Sequence, residues 1–148
     1  MDNRTKEQRS KNMSNIPQKN TKPETTVRQY LFQHGYRYRK NVSKLPGRPD
    51  IVLPKYKTVV FVNGCFWHAH EGCKWFVPPK SNTEFWNKKF EYNKNRDLNN
   101  YSLLNKMGWT VIIVWECALR HGDANTALEN LVQQIYTVKR NSSIIHIE

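Results

Sequence analysis

Two apolar segments of the chain are each followed directly by a cysteine, and this pattern constrains the fold more than any other feature. The segments are KTVVFVNG (57–64), which precedes Cys65, and WTVIIVWE (109–116), which precedes Cys117. Both are short and rich in apolar, β-branched residues, which predicts two strands, and the strongly apolar second segment is suited to the middle of a sheet. Because two strands of one sheet can bring their ends together, we expect the two cysteines to lie close to each other.

The segment that follows the first of these strands adds two further candidate metal ligands. Cys65, His70 and Cys73 have the spacing C-x4-H-x2-C, and Cys117 completes the three cysteines of the chain. Three thiolates and one imidazole form the donor set of a closed, tetrahedral structural zinc site. An odd number of cysteines without a secretory signal also argues against a disulfide framework. The alternative is a set of buried, unreactive thiols with a histidine nearby by chance.

The order of the remaining elements predicts the fold class. We expect a helix from Pro23 to Gly35, strands at YRYRKNV (36–42) and DIVLP (50–54), a long helix over 82–108 and a closing helix over 123–140. With the two strands above, the order is helix, three strands, helix, strand, helix. An antiparallel meander followed by a helical crossover gives an α/β fold with a mixed central sheet flanked by helices.

The first 22 residues are predicted to lie apart from the main domain. The segment TKEQRSKNMSNIP (5–17) is typical of a polar helix that ends at Pro17, and a linker follows it. Its apolar residues Met13 and Ile16 share one face, which is too narrow to attach the helix to a core. We therefore expect residues 1–22 to bind something other than their own domain, which comprises residues 23–148.

The chain carries a large excess of positive charge, with 24 Lys and Arg against 12 Asp and Glu. Five basic residues and no acidic residue lie between Tyr36 and Pro49, namely Arg37, Arg39, Lys40, Lys44 and Arg48. Such a cluster is typical of contact with nucleic-acid phosphates, and a generally basic surface is the alternative. No segment approaches the ~20 apolar residues of a membrane span, and the N-terminus has no apolar signal, so we expect an intracellular protein without a membrane partner.

A second histidine, His68, has a candidate partner on the long helix. One stripe of that helix, with spacings of three and four residues, contains Trp86, Phe90, Asn93, Asp97, Tyr101 and Leu104. Because the stripe is apolar and faces inward, the carboxylate of Asp97 requires a partner. A His68–Asp97 pair would satisfy it and is suited to general-base catalysis. The alternatives are that His68 is structural or on the surface, and that Asp97 pairs with Arg96 or caps a backbone group.

The segment LPGRPDIVL (45–53) places Asp50 at the start of a strand, beside the strand at 57–64. A carboxylate in this position is typical of nuclease Mg²⁺ sites, since Mg²⁺ uses one or two carboxylates and completes its shell with phosphate oxygens and water. In PD-(D/E)xK nucleases the next strand supplies an acid and a lysine, whereas Val59–Asn63 supplies neither. By itself the motif is therefore not specific.

Taken together, the motifs of the chain resemble one known family. SKNM, LPGRPD, GCFWH, TEFW, NRD, GW and VWECAL occur in this order and spacing from about Ser10 to Leu119, and they resemble the very short patch repair (Vsr) DNA mismatch endonucleases. The resemblance implies a modified PD-(D/E)xK-like core. It also implies an enzyme that nicks one strand 5′ to the thymine of a T:G mismatch left by deamination of 5-methylcytosine.

The resemblance also implies roles for individual residues. Asp50 would bind Mg²⁺ with the backbone carbonyl of Val62, Glu24 would orient metal-bound water, and His68 would be the general base, held by Asp97. The structural zinc would be held by Cys65, His70, Cys73 and Cys117. The implied DNA-binding residues are Phe66, Trp67 and Trp86 as an aromatic wedge, Met13 and Ile16 on the N-terminal helix, and Asn63, Lys89 and Asn93. The alternative for the aromatic residues is core packing.

Two features depart from the family pattern. Asn63 stands where some members have a histidine, and the turn HAHEGC (68–73) differs from their histidine-rich turn. We therefore expect the handling of water near the metal to differ, while Asp50 and His68 remain in place.

Three functions fit these residues. The first is a Mg²⁺-dependent mismatch endonuclease that acts on double-stranded DNA. The second is a restriction-type endonuclease that cuts both strands, and the third is a non-catalytic, zinc-stabilised DNA-binding module. For the first we expect a monomer in the bacterial cytoplasm, associated with the nucleoid, with a functional link to a cytosine-5 DNA methyltransferase and to repair proteins.

Overall fold

The computed structural model describes residues 21–137 and 144–148. The elements in these ranges are helices α1 (Lys22–Gln33), α2 (Thr83–Lys106), α3 (Glu116–Arg120) and α4 (Ala124–Thr137) and strands β1 (Arg39–Lys40), β2 (Ile51–Leu53), β3 (Thr58–Asn63), β4 (Thr110–Trp115) and β5 (Ile144–Ile147). The predicted N-terminal helix with Met13 and Ile16 lies outside the described residues. The division into residues 1–22 and 23–148 stays a prediction.

The five strands form one mixed sheet in the order β1–β2–β3–β4–β5. The pairs β1–β2 and β2–β3 are antiparallel, whereas β3–β4 and β4–β5 are parallel. The predicted α/β fold, with its meander, helical crossover and mixed sheet, is therefore confirmed. Two elements lack a recognisable sequence pattern: α3 has only five residues, and β5 is a four-residue edge strand with one buried residue.

The sheet has a separate apolar core on each face. On one face, Leu31 of α1 and Leu131 of α4 pack with Val60 of β3. On the other face, Leu104 of α2 packs with Phe61 of β3. All six residues of β4 are buried, as expected for a strand covered on both faces. The strands β3 and β4 are therefore the fixed support for the segments that follow them.

None of the helices within residues 21–137 and 144–148 is long and apolar enough to cross a membrane.

Candidate metal and catalytic centres

The ends of β3 and β4 bring the cysteines together. The two strands are paired in parallel with Asn63 opposite Trp115, so Cys65 and Cys117 both follow at the same edge of the sheet. The loop after β3 then turns back on itself, because the N–H of His70 donates to the carbonyl of Cys65 at 3.0 Å. As a result the ligand atoms of Cys65, His70, Cys73 and Cys117 all lie within 4.8 Å of one another. We refer to these four residues as the thiol cluster.

The thiol cluster has the chemistry of a metal site. All three cysteines are free, and Nδ1 of His70 lies 3.6 Å from Sγ of Cys117, so the imidazole faces the thiols. Burial raises the pKa of Cys65 to about 12 and also raises the pKa of Cys117. A bound cation favours the thiolate and reverses this effect. The structure thus brings the four predicted ligands together, and the residues can hold a metal ion; that the ion is zinc stays a prediction.

His70 is held from two sides by residues that the sequence patterns do not indicate. Its ring stacks on the Trp115 indole, with centroids 3.8 Å apart and planes 5° apart. Its Nε2 is hydrogen-bonded to the carboxylate of Glu148, directly after β5. The Trp115 Nε1–H in turn donates to Nδ1 of His146 at 3.0 Å. The last strand of the sheet is therefore in contact with the thiol cluster.

His68 and Asp97 form the pair that the helical stripe predicts. Nδ1 of His68 lies 2.5 Å from Oδ2 of Asp97, and the two side chains are 23% and 15% exposed. The other carboxylate oxygen, Oδ1, accepts a hydrogen bond from Arg96 at 3.3 Å, so the alternative partner is present as well. Because Asp97 occupies Nδ1, the Nε2 atom of His68 is the nitrogen that can exchange a proton with a substrate or water. The arrangement is thus competent for general-base chemistry.

Asp50 is positioned by β3 and by the turn before β2. Its Oδ2 accepts a hydrogen bond from the N–H of Val62 at 2.7 Å. The preceding turn contains two consecutive residues with positive φ, Gly47 at 74° and Arg48 at 50°. A Cβ at Gly47 would lie 3.1–3.2 Å from atoms of Asn100 and Phe61. Glycine is therefore required there both by backbone conformation and by close packing against α2 and β3.

Glu24 and Arg28 complete this carboxylate site from α1. Both residues are buried, at 2% and 7% exposure, and Nη1 of Arg28 lies 3.2 Å from Oε2 of Glu24. Thr21 is the N-cap of α1 and helps to position Glu24, because its hydroxyl accepts a hydrogen bond from the N–H of Glu24. Arg28 is absent from the predicted site, although its i, i+4 spacing from Glu24 is a recognisable signal for an ion pair.

The two carboxyl groups of this site influence each other. The pKa of Asp50 is raised to about 7: burial is the largest cause, the charge of Glu24 and its hydrogen bond also raise it, and the Val62 N–H and Arg28 lower it. Adjacent carboxyl groups in a partly buried position are unfavourable when both are ionised, unless a cation is shared between them. Asp50 and Glu24 can therefore hold a divalent cation, as expected for Mg²⁺ ligation.

Two of the predicted DNA-binding residues are buried. Asn63 is 3% exposed, and its Nδ2 donates to the hydroxyl of Tyr101 at 2.9 Å. Asn93 is 4% exposed, and its Nδ2 donates to the carbonyl of Trp67 at 2.9 Å. Both amides are therefore hydrogen-bonding supports in this structure, whereas Lys89 is exposed on α2. Contact with DNA stays a prediction for all three residues.

The predicted wedge residues belong to one aromatic cluster. Phe66 contacts Trp67, Trp86 and Phe90 edge-on, with ring centroids 5.1–5.4 Å apart. Phe66, Trp67 and Trp86 are all partly buried, so they are neither fully inserted in the core nor isolated on the surface. The neighbouring Phe85 is 60% exposed and packs against Trp86. These rings thus form a partly exposed aromatic cluster next to His68. Their partial burial is compatible with the wedge interpretation and with the core interpretation.

Comparisons with known proteins agree on the family. The family described as DNA mismatch endonuclease Vsr matches residues 1–74. The type II nicking enzyme V.NmeAIP of Neisseria meningitidis serogroup A is 49% identical over 132 residues, which cover 88% of this chain and 94% of that protein. The DNA mismatch endonuclease Vsr of Escherichia coli K12 is 46% identical over 112 residues, which cover 76% and 71% of the two chains.

A third relative, the type II nicking enzyme V.XorIIP of Xanthomonas oryzae pv. oryzae, is 43% identical over 121 residues, or 81% of this chain and 88% of that protein. The V.NmeAIP match covers 88% of this chain, so it includes the thiol cluster, the His68–Asp97 pair and the carboxylate site. The resemblance of the sequence motifs is therefore confirmed: this chain belongs to the Vsr family of DNA mismatch endonucleases.

Proposed function

We propose that this protein is a Mg²⁺-dependent DNA endonuclease that nicks one strand 5′ to the thymine of a T:G mismatch, and so initiates very short patch repair. The observation that carries the proposal is the placement of two chemically different groups beside the end of β3. The Asp50–Glu24 carboxylate site lies on one side, and the His68–Asp97 pair follows the strand. Relatives named as mismatch endonucleases and nicking enzymes support DNA as the substrate.

The carboxylate site is proposed to hold the magnesium ion. Within a strand the N–H and C=O of one residue point to the same side. The Val62 N–H is directed at Asp50, so the Val62 carbonyl faces the same space and is a suitable second ligand. A magnesium ion bound there supplies charge neutralisation at the phosphate and a more acidic bound water. Glu24, which is paired with Arg28, would orient water at this site.

His68 is proposed to be the general base. Its Nε2 takes the proton from the attacking water, and Asp97 stabilises the imidazolium that forms by its bond to Nδ1. The short contact also fixes the ring so that Nε2 points away from Asp97. The proton acceptor, Nε2 of His68, is therefore oriented by Asp97, which lies on the long helix α2.

The thiol cluster is proposed to be a structural zinc site that holds the catalytic loop. Its ligands Cys65, His70 and Cys73 lie on either side of His68 in the sequence, and Cys117 anchors the loop to α3. All four positions are protein side chains, which leaves no open coordination position for a substrate. Zinc therefore acts here by fixing the positions of Phe66, Trp67 and His68.

Recognition of the mismatch is proposed to use the aromatic cluster. Unstacking a matched base step costs about a few kcal/mol. A mismatched pair stacks poorly, so separating it costs less, and inserted aromatic rings recover part of this unstacking energy. The basic residues of the chain supply phosphate contacts. A link to a cytosine-5 DNA methyltransferase follows from the chemistry, since such an enzyme produces the base whose deamination yields thymine. One nick requires one active site, which favours a monomer.

The wedge is tested by substituting Phe66→Ala and Trp67→Ala together. We expect the variant to lose its preference for mismatched over matched DNA, because no rings remain to replace the lost base stacking. Nicking rates on a T:G duplex and on its fully paired counterpart measure this preference. Phe32→Ala, at an aromatic residue that is 57% exposed on α1, is the control. An unchanged preference in the double variant would remove these residues from mismatch recognition.

The function as a whole is tested on strand-labelled duplexes analysed on denaturing gels. One duplex carries a T:G mismatch within a cytosine-methylation site, and the other is fully paired; each is incubated with and without Mg²⁺. We expect a single Mg²⁺-dependent cut on the thymine strand. Cuts in both strands of the paired duplex would instead establish a restriction-type endonuclease. Binding without any cut would establish the DNA-binding module.

A further inference from the structure

The C-terminal strand β5 contacts the thiol cluster at a point that no sequence motif indicates. It pairs in parallel with β4, and Val114 lies opposite Ile147, which is 3% exposed. This register fixes the position of the next residue, Glu148, beside the cluster. His70 and Glu148 are separated by 78 positions in the chain, so only the completed sheet brings them together.

The two nitrogens of His70 face different partners. Nδ1 lies 3.6 Å from Sγ of Cys117, on the side of the thiols. Nε2 lies on the far side of the ring and is hydrogen-bonded to the Glu148 carboxylate. Glu148 is therefore not placed to be a ligand itself. Histidine ligands of metal ions commonly donate their second N–H to a carboxylate, which fixes the tautomer and makes the ligating nitrogen more basic.

The His70 ring is also fixed in its plane. It stacks on Trp115 at 3.8 Å, and Trp115 is held by a hydrogen bond to His146, which belongs to β5. β5 thus supports the face of the ring through His146 and Trp115, and Glu148, the residue after β5, holds its edge. A ring held in this way presents Nδ1 to the metal in one orientation.

We propose that Glu148 is a positioning residue of the metal site: it accepts the Nε2–H of His70 and thereby directs Nδ1 to the zinc ion. The inference rests on the proposed zinc site. The Glu148 side chain is 56% exposed, so its hydrogen bond to His70 adds little to fold stability. Its effect is on the orientation and basicity of one ligand, and so on zinc affinity.

Glu71 provides a matched control for this role. It directly follows His70 in the same loop and carries the same charge, but its carboxylate bonds Nζ of Lys94 at 2.9 Å and is 85% exposed. A Glu71→Gln substitution removes one negative charge near the cluster without changing the contacts of the His70 ring. If zinc binding weakens in the Glu148 variant and not in the Glu71 variant, the loss of one negative charge near the cluster is not the cause.

The test compares zinc retention in the full-length, zinc-loaded proteins. Zinc is withdrawn with increasing concentrations of a chromogenic chelator, and the concentration that removes half of it is measured for wild type, Glu148→Gln and Glu71→Gln. We expect Glu148→Gln to weaken zinc binding about 10–100-fold, the usual effect of removing such a carboxylate. Glu71→Gln should behave as wild type.

Two further measurements separate positioning from loss of fold. In saturating zinc, the Tm of Glu148→Gln should equal that of wild type. In the cobalt-substituted protein, the ligand-field absorption bands should shift for Glu148→Gln, because a neutral acceptor makes the imidazole a weaker ligand than a carboxylate does, and should not shift for Glu71→Gln. Equal zinc retention in Glu148→Gln and wild type would overturn the role of Glu148 and leave the zinc site intact. Wild-type protein that retains no zinc would overturn the zinc site as well.

Discussion

The thiol cluster and the carboxylate site lie at the same edge of the sheet but are built in opposite ways. The thiol cluster assembles three thiols and one imidazole from the loop after β3 and from the start of α3, a donor set that fills all four positions of a tetrahedral metal site. The carboxylate site offers two hard oxygen donors, Asp50 and Glu24, and a magnesium ion held by so few protein ligands would complete its shell with phosphate oxygens and water. The difference favours the proposed roles, structural for the first site and catalytic for the second.

The two sites also differ in how the protein balances their charge. Glu24, beside Asp50, is paired with the buried guanidinium of Arg28, so a cation is present even without metal. At the thiol cluster, burial raises the pKa of Cys65 and of Cys117, which disfavours the thiolates in the absence of metal. We infer that the carboxylate site remains folded without its metal, whereas the loop around the thiol cluster depends on its ion.

The largest expected effect is on activity, from Asp50→Ala. We expect nicking to fall at least about 10³-fold, because the metal anchor is lost, while DNA binding is retained. Nicking assays and binding isotherms on the same duplex measure the two quantities. Glu129→Ala, at an exposed position of α4, is the control. Full nicking by Asp50→Ala would remove Asp50 from the metal site and end the distinction between the sites.

The next effect is on stability, from Cys73→Ser. We expect the variant to retain less zinc and to have a Tm lower by about 10 °C, since binding of a structural metal contributes directly to folding. Thermal unfolding and metal analysis of the purified protein measure both. A variant with unchanged zinc content and Tm would show that the thiol cluster is not a structural metal site.

A smaller effect is expected from Arg28→Met. The substitution removes one buried positive charge beside the Asp50–Glu24 pair, and we expect the metal-free protein to lose about 3 kcal/mol of unfolding free energy. Mg²⁺ should restore part of this loss, so the Mg²⁺-induced rise in Tm should be larger than in wild type.

Arg120→Met is the matched control for Arg28→Met. Arg120 also pairs with a glutamate at i, i+4 on a helix, Glu116, but it is 53% exposed, and we expect a loss of at most about 0.5 kcal/mol. Equal Mg²⁺-induced shifts in Arg28→Met and wild type would contradict a role of Arg28 in charge balance at this site.

The last effect is gradual: it is the pH dependence of stability that Asp50 contributes. Its pKa is raised from 3.8 to about 7 in the folded protein, mainly by burial, so between these values the folded state binds more protons than the unfolded state. Without added Mg²⁺, stability should therefore fall as pH rises from about 4 to about 7, by at most about 1.4 kcal/mol per pH unit from this group.

Asp50→Asn isolates this contribution, because the amide does not titrate. The difference in unfolding free energy between wild type and Asp50→Asn, measured by denaturant titration at several pH values, should change in favour of the variant as pH rises. A difference that is constant across this range would mean that Asp50 is not protonated in the folded, metal-free protein.

Local sequence patterns predict the strands and the helix that carry most of the site residues. The apolar runs before Cys65 and Cys117 predict β3 and β4, and the parallel pairing of these strands brings the cysteines together. The stripe on the long helix correctly places Asp97 toward the interior, where it meets His68. Such features are readable because strand burial and helical periodicity each repeat over a few consecutive residues.

The buried amides show what these patterns leave open. Asn63 ends a strand and Asn93 lies on the inward stripe, and the family resemblance predicts DNA contact for both. The structure gives each of them a protein partner, Tyr101 for one and the carbonyl of Trp67 for the other, and contact with DNA stays a prediction. A side-chain amide has both a donor and an acceptor, so its type alone does not identify the partner.

The sequence by itself therefore determined the α/β fold, the four residues of the thiol cluster and the His68–Asp97 pair. Only the tertiary structure decided that Arg28 balances the carboxylate site and that Glu148 contacts His70. The physical reason is that strand and helix patterns are set by neighbouring residues, whereas a contact across 78 positions depends on the register of the whole sheet. No local periodicity carries that register, because β5 is short and mostly exposed.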